Sequence, residues 1–125
     1  MASDPGCVFC KIVKGEIPSI KVYEDDRFIA FLDKYPRTTG HCQIIPKQHY
    51  RWVWDIPDIG AYMEAAKIVA NAQRKAFGTD MIVSQIIGDE VAHAHIWLMP
   101  HMHTINADLT GEELAKQIRK HLSST

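Results

Sequence analysis

The chain has 125 residues, 46% of them hydrophobic and 23% charged, with a formal net charge of −1 at pH 7. That length fits one domain able to bury a core without disulfide support, and the near-neutral balance offers no basic field for nucleic acid. The longest apolar runs are too short for a membrane span, and residues 1–6 have neither the basic n-region nor the apolar h-region of a secretion signal.

A cytoplasmic protein is therefore expected. Its three cysteines, at 7, 10 and 42, are then reduced, which moves Cys7-Val8-Phe9-Cys10 from a disulfide reading toward metal or redox use.

Residues 7–12 form a short apolar segment closed by Lys14-Gly15. Residues 20–24 alternate as a strand, Asp25-Asp26 makes a turn, and residues 28–32 read as the hairpin partner. Residues 33–40 hold a proline, two threonines and a glycine and read as a loop. Residues 41–46 return as a strand, with Lys47-Gln48-His49 at its tip. Asp58 is placed to cap the one long helical pattern, residues 59–77, whose apolar stripe runs through Ile59, Met63, Ala66, Ile68, Val69, Ala72 and Phe77 up to a stop at Gly78.

Residues 81–87 read as another strand, and Gly88-Asp89 as a tight turn leading directly into residues 91–99. Here His93, His95 and Trp97 alternate with Ala92, Ala94, Ile96 and Leu98. In a strand the small aliphatic set would pack under a helix, and the imidazoles and indole would line the opposite face roughly 6.5–7 Å apart. Pro100, with no N–H for a ladder, ends that strand. Thr110 and Glu113 fit the capping box of a short C-terminal helix ending near Leu122. Hairpin-forming strands outnumber the helices, so the expected class is α+β with an antiparallel sheet. The main domain is expected at 7–110, with the C-terminal helix and tail at 111–125.

Two cysteines are too few for a closed zinc site, which needs four ligands, so two histidines must come from elsewhere. His49 and His93 are candidates; His101 and His103 are a competing pair.

The motifs Cys7-Val8-Phe9-Cys10, Gly15-Glu16-Ile17-Pro18, Phe28-Ile29-Ala30-Phe31-Leu32-Asp33, Gly40-His41, Ile45-Pro46-Lys47-Gln48-His49 and His93-Ala94-His95 occur in the order and spacing of a known family. The chain resembles the histidine triad (HIT) superfamily in its small Hint-like branch, over about residues 7–104. The resemblance implies the HIT-like fold, with about five antiparallel strands, one long helix and a short C-terminal one. It also implies hydrolysis or transfer of a nucleotidyl group from purine conjugates: adenosine phosphoramidates, aminoacyl adenylates or dinucleoside polyphosphates. His95 takes the nucleophile's role, through a covalent nucleotidyl-histidine intermediate. A backbone carbonyl accepting from its Nδ1–H would leave Nε2 free.

The resemblance further implies a structural zinc on Cys7, Cys10, His49 and His93, and no need for Mg²⁺. Asp33 becomes the ribose acceptor, with Phe9, Ile12 and Phe31 clamping the base. His95 and Trp97 face the phosphate, and the assembly is a homodimer formed through the long helix and an edge strand. Three positions depart from the family pattern. Trp97 stands where the third triad histidine is expected, and Asp89-Glu90 follow Gly88 where an amide and a hydroxyl are usual. An indole cannot shuttle a proton. An alternative expectation is therefore a catalytically weakened nucleotide-binding or regulatory protein, and a further one is an open catalytic zinc on His93 and His95.

Overall fold

The computed structural model describes residues 4–101 and 108–122. In chain order the elements are α1 (Val8–Lys14), β1 (Lys21–Glu24), β2 (Phe28–Leu32), β3 (Cys42–Pro46), a 3-10 turn (Val53–Asp55), α2 (Ile59–Phe77), β4 (Ile82–Gln85), β5 (Ile96–Pro100) and α3 (Gly111–Lys120). The five strands form one sheet in the order β1-β2-β3-β5-β4, with every neighbouring pair antiparallel. The α+β class, the strand number and both expected helices are present. Helix α1 is an addition to the expected elements, because its seven residues are too few to display a helical period in the sequence.

Alternation along the strands gives the sheet two dissimilar faces. On one, Val22, Phe28, Ala30, Cys42, Ile44, Ile96 and Leu98 pack with Tyr62, Ala65, Val69 and Ala72 of α2 and with Ala115 and Ile118 of α3. The other buries Ile29, Phe31 and Ile45 beneath Phe9 and Ile12 of α1. Thus α3, with its Thr110–Glu113 capping box in place, shares the main core.

Helix α2 keeps its expected bounds, with Asp58 accepting the Ala61 N–H at 3.1 Å and Gly78 left-handed at φ 63°. Its buried stripe is 62, 65, 66, 69, 72 and 73, a helical i, i+3, i+4, i+7 series. Met63 turns out to solvent at 38% exposure, and Tyr62 and Gln73 lie inside instead. Both tie the helix to the sheet. The Tyr62 hydroxyl donates to the Ile44 carbonyl at 2.6 Å, and Gln73 Nε2 donates to the carbonyls of Gly40 and Leu98, each at 3.0 Å. Gly40 has φ 81°, and a Cβ there would lie 2.3 Å from the Phe77 ring.

The histidine stretch departs from expectation. Strand β5 begins only at Ile96, and His93 and His95 lie in its lead-in. Pairing of Ile44 with Ile96 would next bring Pro46 opposite Ala94. Pro46 has no N–H, and its carbonyl lies 2.8 Å from His93 Nε2, so the ladder stops there. Ala94 donates its N–H to the Tyr50 carbonyl at 2.7 Å instead. The expected sidedness survives: Ala94, Ile96 and Leu98 enter the main core, while His93 and His95 meet Phe9.

Candidate functional site

Cys7 caps α1, its Sγ accepting the Cys10 N–H at 3.4 Å, so one short helical turn places both sulfurs on the same side. The lead-in to β5 brings His93 against them, with Nδ1 3.3 Å from Cys7 Sγ and 3.5 Å from Cys10 Sγ. His49, past the end of β3, puts its Nδ1 3.3 Å from Cys10 Sγ. The four ligand atoms all lie within 4.8 Å of one another. A tetrahedral zinc has an S···N edge of about 3.6 Å, given Zn–S of about 2.3 Å and Zn–N of about 2.0–2.1 Å. The cluster's own spacings come close to that, so the donor set fits zinc.

Protonation favours the same use. Burial, with His49 and His95 nearby, pushes His93 down to about 4 against the opposing pull of the Pro46 carbonyl, leaving a neutral imidazole. Its Nε2–H donates to Pro46, so the Nδ1 lone pair faces the sulfurs. Burial raises the Cys10 thiol, and a bound cation would reverse that direction. Among the described residues His95 is not part of the cluster, which disfavours an open zinc on His93 and His95. His101 is exposed, and His103 lies outside the described residues.

His95 is oriented by its own neighbours. Its Nδ1–H donates to the His93 carbonyl at 2.7 Å, and the ring of Phe9 stands edge-on to it, with centroids 5.3 Å apart. The backbone bond fixes the tautomer that carries a lone pair on Nε2. Phe9 also touches Phe31 edge-to-face at 5.7 Å, and Ile12 joins them in the α1 cluster.

Asp33 leaves the end of β2, its side chain 9% exposed. Its Oδ2 accepts from Gln43 Nε2 at 2.7 Å and lies 3.5 Å from His41 Nε2, while Oδ1 accepts the Tyr35 N–H at 2.8 Å. Burial lowers His41 more than the Asp33 charge raises it. Trp97 pairs with Gln43 across β3 and β5 and meets the His41 ring at 5.3 Å. The Arg37 guanidinium lies over its indole at 4.2 Å. In the sequence His41 appears only within the Gly40-His41 motif, with no role attached, and Arg37 carries no signal.

The HIT domain model matches residues 14–104. The chain belongs to the HIT domain family. Its similar relatives include adenylylsulfatase HINT3 of Arabidopsis thaliana, 33% identical over 94% of this chain and 70% of that protein. Adenosine 5'-monophosphoramidase HNT1 of Saccharomyces cerevisiae is 41% identical over 78% of this chain and 63% of its own length. Among solved HIT structures, a Hit-like protein from Bartonella henselae superposes with a TM-score of 0.82 at 36% identity, covering 95% of this chain and 98% of that one. A zinc-bound histidine triad protein from Mycobacterium smegmatis does so with the same TM-score at 32% identity, covering 95% and 94%.

This HIT chain has a second feature beside His95. Arg51, Trp52, Val53, Trp54, Ile86, Ile87, Gly88 and Ala94 line a cleft that His95 completes. Arg51 Nη1 donates to the Gly88 carbonyl at 2.7 Å, and its guanidinium stacks over the Trp52 ring at 3.7 Å. Gly88, Ala94 and His95 belong to motifs legible in the sequence, whereas Arg51 to Trp54 and Ile86-Ile87 carry none.

Proposed function

We propose that this HIT protein is a nucleotidyl hydrolase or transferase for purine nucleotide conjugates, of the adenosine phosphoramidate, aminoacyl-adenylate or dinucleoside polyphosphate type, with His95 as nucleophile. The activities for which two relatives are named, an adenylylsulfatase and an adenosine 5'-monophosphoramidase, support the class. The observation that carries the reading is the 2.7 Å bond from His95 Nδ1–H to the His93 carbonyl, which leaves the Nε2 lone pair free.

The Nε2 lone pair attacks the α-phosphorus, the bond to the leaving group breaks with its electron pair, and a nucleotidyl-His95 intermediate forms. Water or another acceptor then attacks phosphorus and the P–N bond returns its electrons to the ring. Backbone N–H groups and neighbouring imidazoles meet the phosphate charge, so the chemistry needs no Mg²⁺. Asp33 receives the ribose hydroxyls on its remaining lone pairs, Phe9, Ile12 and Phe31 hold the base, and Trp97 borders the phosphate.

Zinc on Cys7, Cys10, His49 and His93 would supply a structural link between α1 and the segment bearing His95. The protein works in the cytoplasm as a homodimer through α2 and the edge strand β4. The exposed Met63 on α2, Val83 on β4 and Met81 just before β4 support that interface. Among the described residues no helix is long and apolar enough to cross a membrane.

The test is a quenched reaction with adenosine 5'-phosphoramidate, digested and read by mass spectrometry. An adenylyl group on the peptide bearing His95 is expected. Tight AMP binding with no adduct would instead establish a nucleotide-binding protein without this chemistry.

A further inference from the structure

The cleft beside His95 is held in place by a short chain of contacts. The Ala94 N–H to Tyr50 carbonyl bond fastens the segment after β3 to the lead-in that carries His95. The next residue, Arg51, reaches across to the Gly88 carbonyl and stacks on Trp52. Gly88 has φ 83°, and a Cβ there would come within 3.1 Å of the Trp52 ring, so this packing requires glycine.

Arg51 therefore has a fixed plane. One of its five N–H groups is engaged by Gly88, and it joins no ion pair among the described residues. A half-buried, stacked guanidinium with unused donors is a preorganised receptor for a tetrahedral oxyanion.

Position 97 points the same way by a different route. An amine leaving from phosphorus must be protonated, and the Trp97 indole has no proton that it can transfer at neutral pH. A weakly basic oxyanion leaves without one.

We infer that the cleft of Arg51, Trp52 and Gly88 is the leaving-group subsite. Arg51 is its specificity-determining residue, selecting conjugates whose leaving group is a weakly basic oxyanion, sulfate being the simplest, over those that release an amine. The inference rests on the reading of His95 as nucleophile. In the first step the Nε2–P bond forms, the P–O bond to sulfate breaks, and sulfate keeps the electron pair and departs as a dianion. Water then hydrolyses the P–N bond, giving AMP and a proton to solvent.

Initial rates with adenylyl sulfate and with adenosine 5'-phosphoramidate test this in the native protein, Arg51→Ala and Arg51→Lys. The native protein should prefer adenylyl sulfate. Arg51→Ala should lower kcat/KM for it by about 100-fold, with a much smaller loss on the phosphoramidate and partial recovery in Arg51→Lys. Inorganic sulfate should inhibit phosphoramidate turnover in the native protein and do so more weakly in Arg51→Ala, a reading independent of the sulfate substrate. Equal losses on both substrates, or native preference for the phosphoramidate, overturn the subsite while the His95 adduct still forms. Absence of an adduct from both substrates overturns the nucleophile and the subsite together.

Discussion

The Pro46 carbonyl lies 2.8 Å from His93 Nε2, and this contact joins the Cys/His cluster to the central strand of the sheet. It fixes which ring nitrogen faces the sulfurs and ends the β3–β5 ladder at the same point. The Cys/His cluster and the strand boundary thus share one cause.

Zinc removal should therefore loosen the segment that carries His95. One equivalent of zinc per chain is expected, lost in Cys7→Ser and kept in His101→Ala. A metal in thousandfold excess over its Kd adds about 4 kcal/mol to the folded state. That corresponds to a rise of roughly 10 °C or more in Tm for a domain of this size. Calorimetry before and after chelation checks the shift, and zinc analysis checks the stoichiometry. Unchanged melting would remove the structural role.

His95→Ala should abolish turnover, by at least about 10⁴-fold in kcat, with AMP affinity changed far less. Single-turnover kinetics paired with calorimetric AMP binding separate the two. A residual rate above one-hundredth of native would count against His95 as nucleophile.

Trp97→His should restore a proton donor beside the leaving group. Phosphoramidate turnover is expected to rise by at least about tenfold, while adenylyl sulfate turnover gains little. A gain of equal size on both would mean that the indole obstructs the site sterically.

Tyr23 and Asp25 link stability to pH from both sides. The Tyr23 hydroxyl donates to Asp25 Oδ2 at 2.6 Å, and Asp25 Oδ1 accepts the N–H groups of Arg27 and Phe28, each at 2.8 Å. Burial alone would raise Asp25, but the Tyr23 and backbone bonds outweigh it and hold the carboxyl below its ordinary 3.8. Its contribution is full above that value and fades as pH falls through the lower folded one. Burial, then Asp25, pushes Tyr23 from 10.0 up to about 12, so its contribution is full below pH 10 and fades as pH rises toward 12. Urea midpoints across pH should fall at both ends in the native protein. Tyr23→Phe should flatten the alkaline limb and shrink the acid one.

Gln73→Leu should cost about 2–4 kcal/mol, because it strips a donor from two carbonyls between α2 and the sheet. Denaturant unfolding reads the loss. Tyr62→Phe, which removes one hydroxyl bond, should cost less, about 1–2 kcal/mol.

What was legible in the sequence follows from how local each signal is. Asp58 and Gly78 mark α2 because caps act on adjacent residues, and its bounds were as expected. Thr110 and Glu113 mark α3 in the same way. The set Cys7, Cys10, His49 and His93 follows from the resemblance to the HIT superfamily, since ligand counting alone leaves His101 and His103 in competition, and the fold brings the four together. The period along residues 91–99 gave the correct sides but the wrong strand start. Hydrogen bonding at His93 depends on Pro46, which lies 47 residues away. Tyr62 and Gln73 are absent from the expected apolar stripe because the carbonyls that satisfy them inside, those of Ile44, Gly40 and Leu98, are distant in sequence. Arg51 and Trp52 acquire meaning only beside Gly88, a contact between residues 37 positions apart.

Because β5 begins at Ile96, the two histidines ride on backbone outside the five-stranded ladder. Insertions, deletions or substitutions over residues 88–92 can then change reach and charge around the reacting atoms without shifting any strand against its neighbour. The scaffold and its chemistry are separable, and the boundary between them is Pro46, which pairs with Phe28 on one side but has no N–H to carry the β3–β5 ladder further.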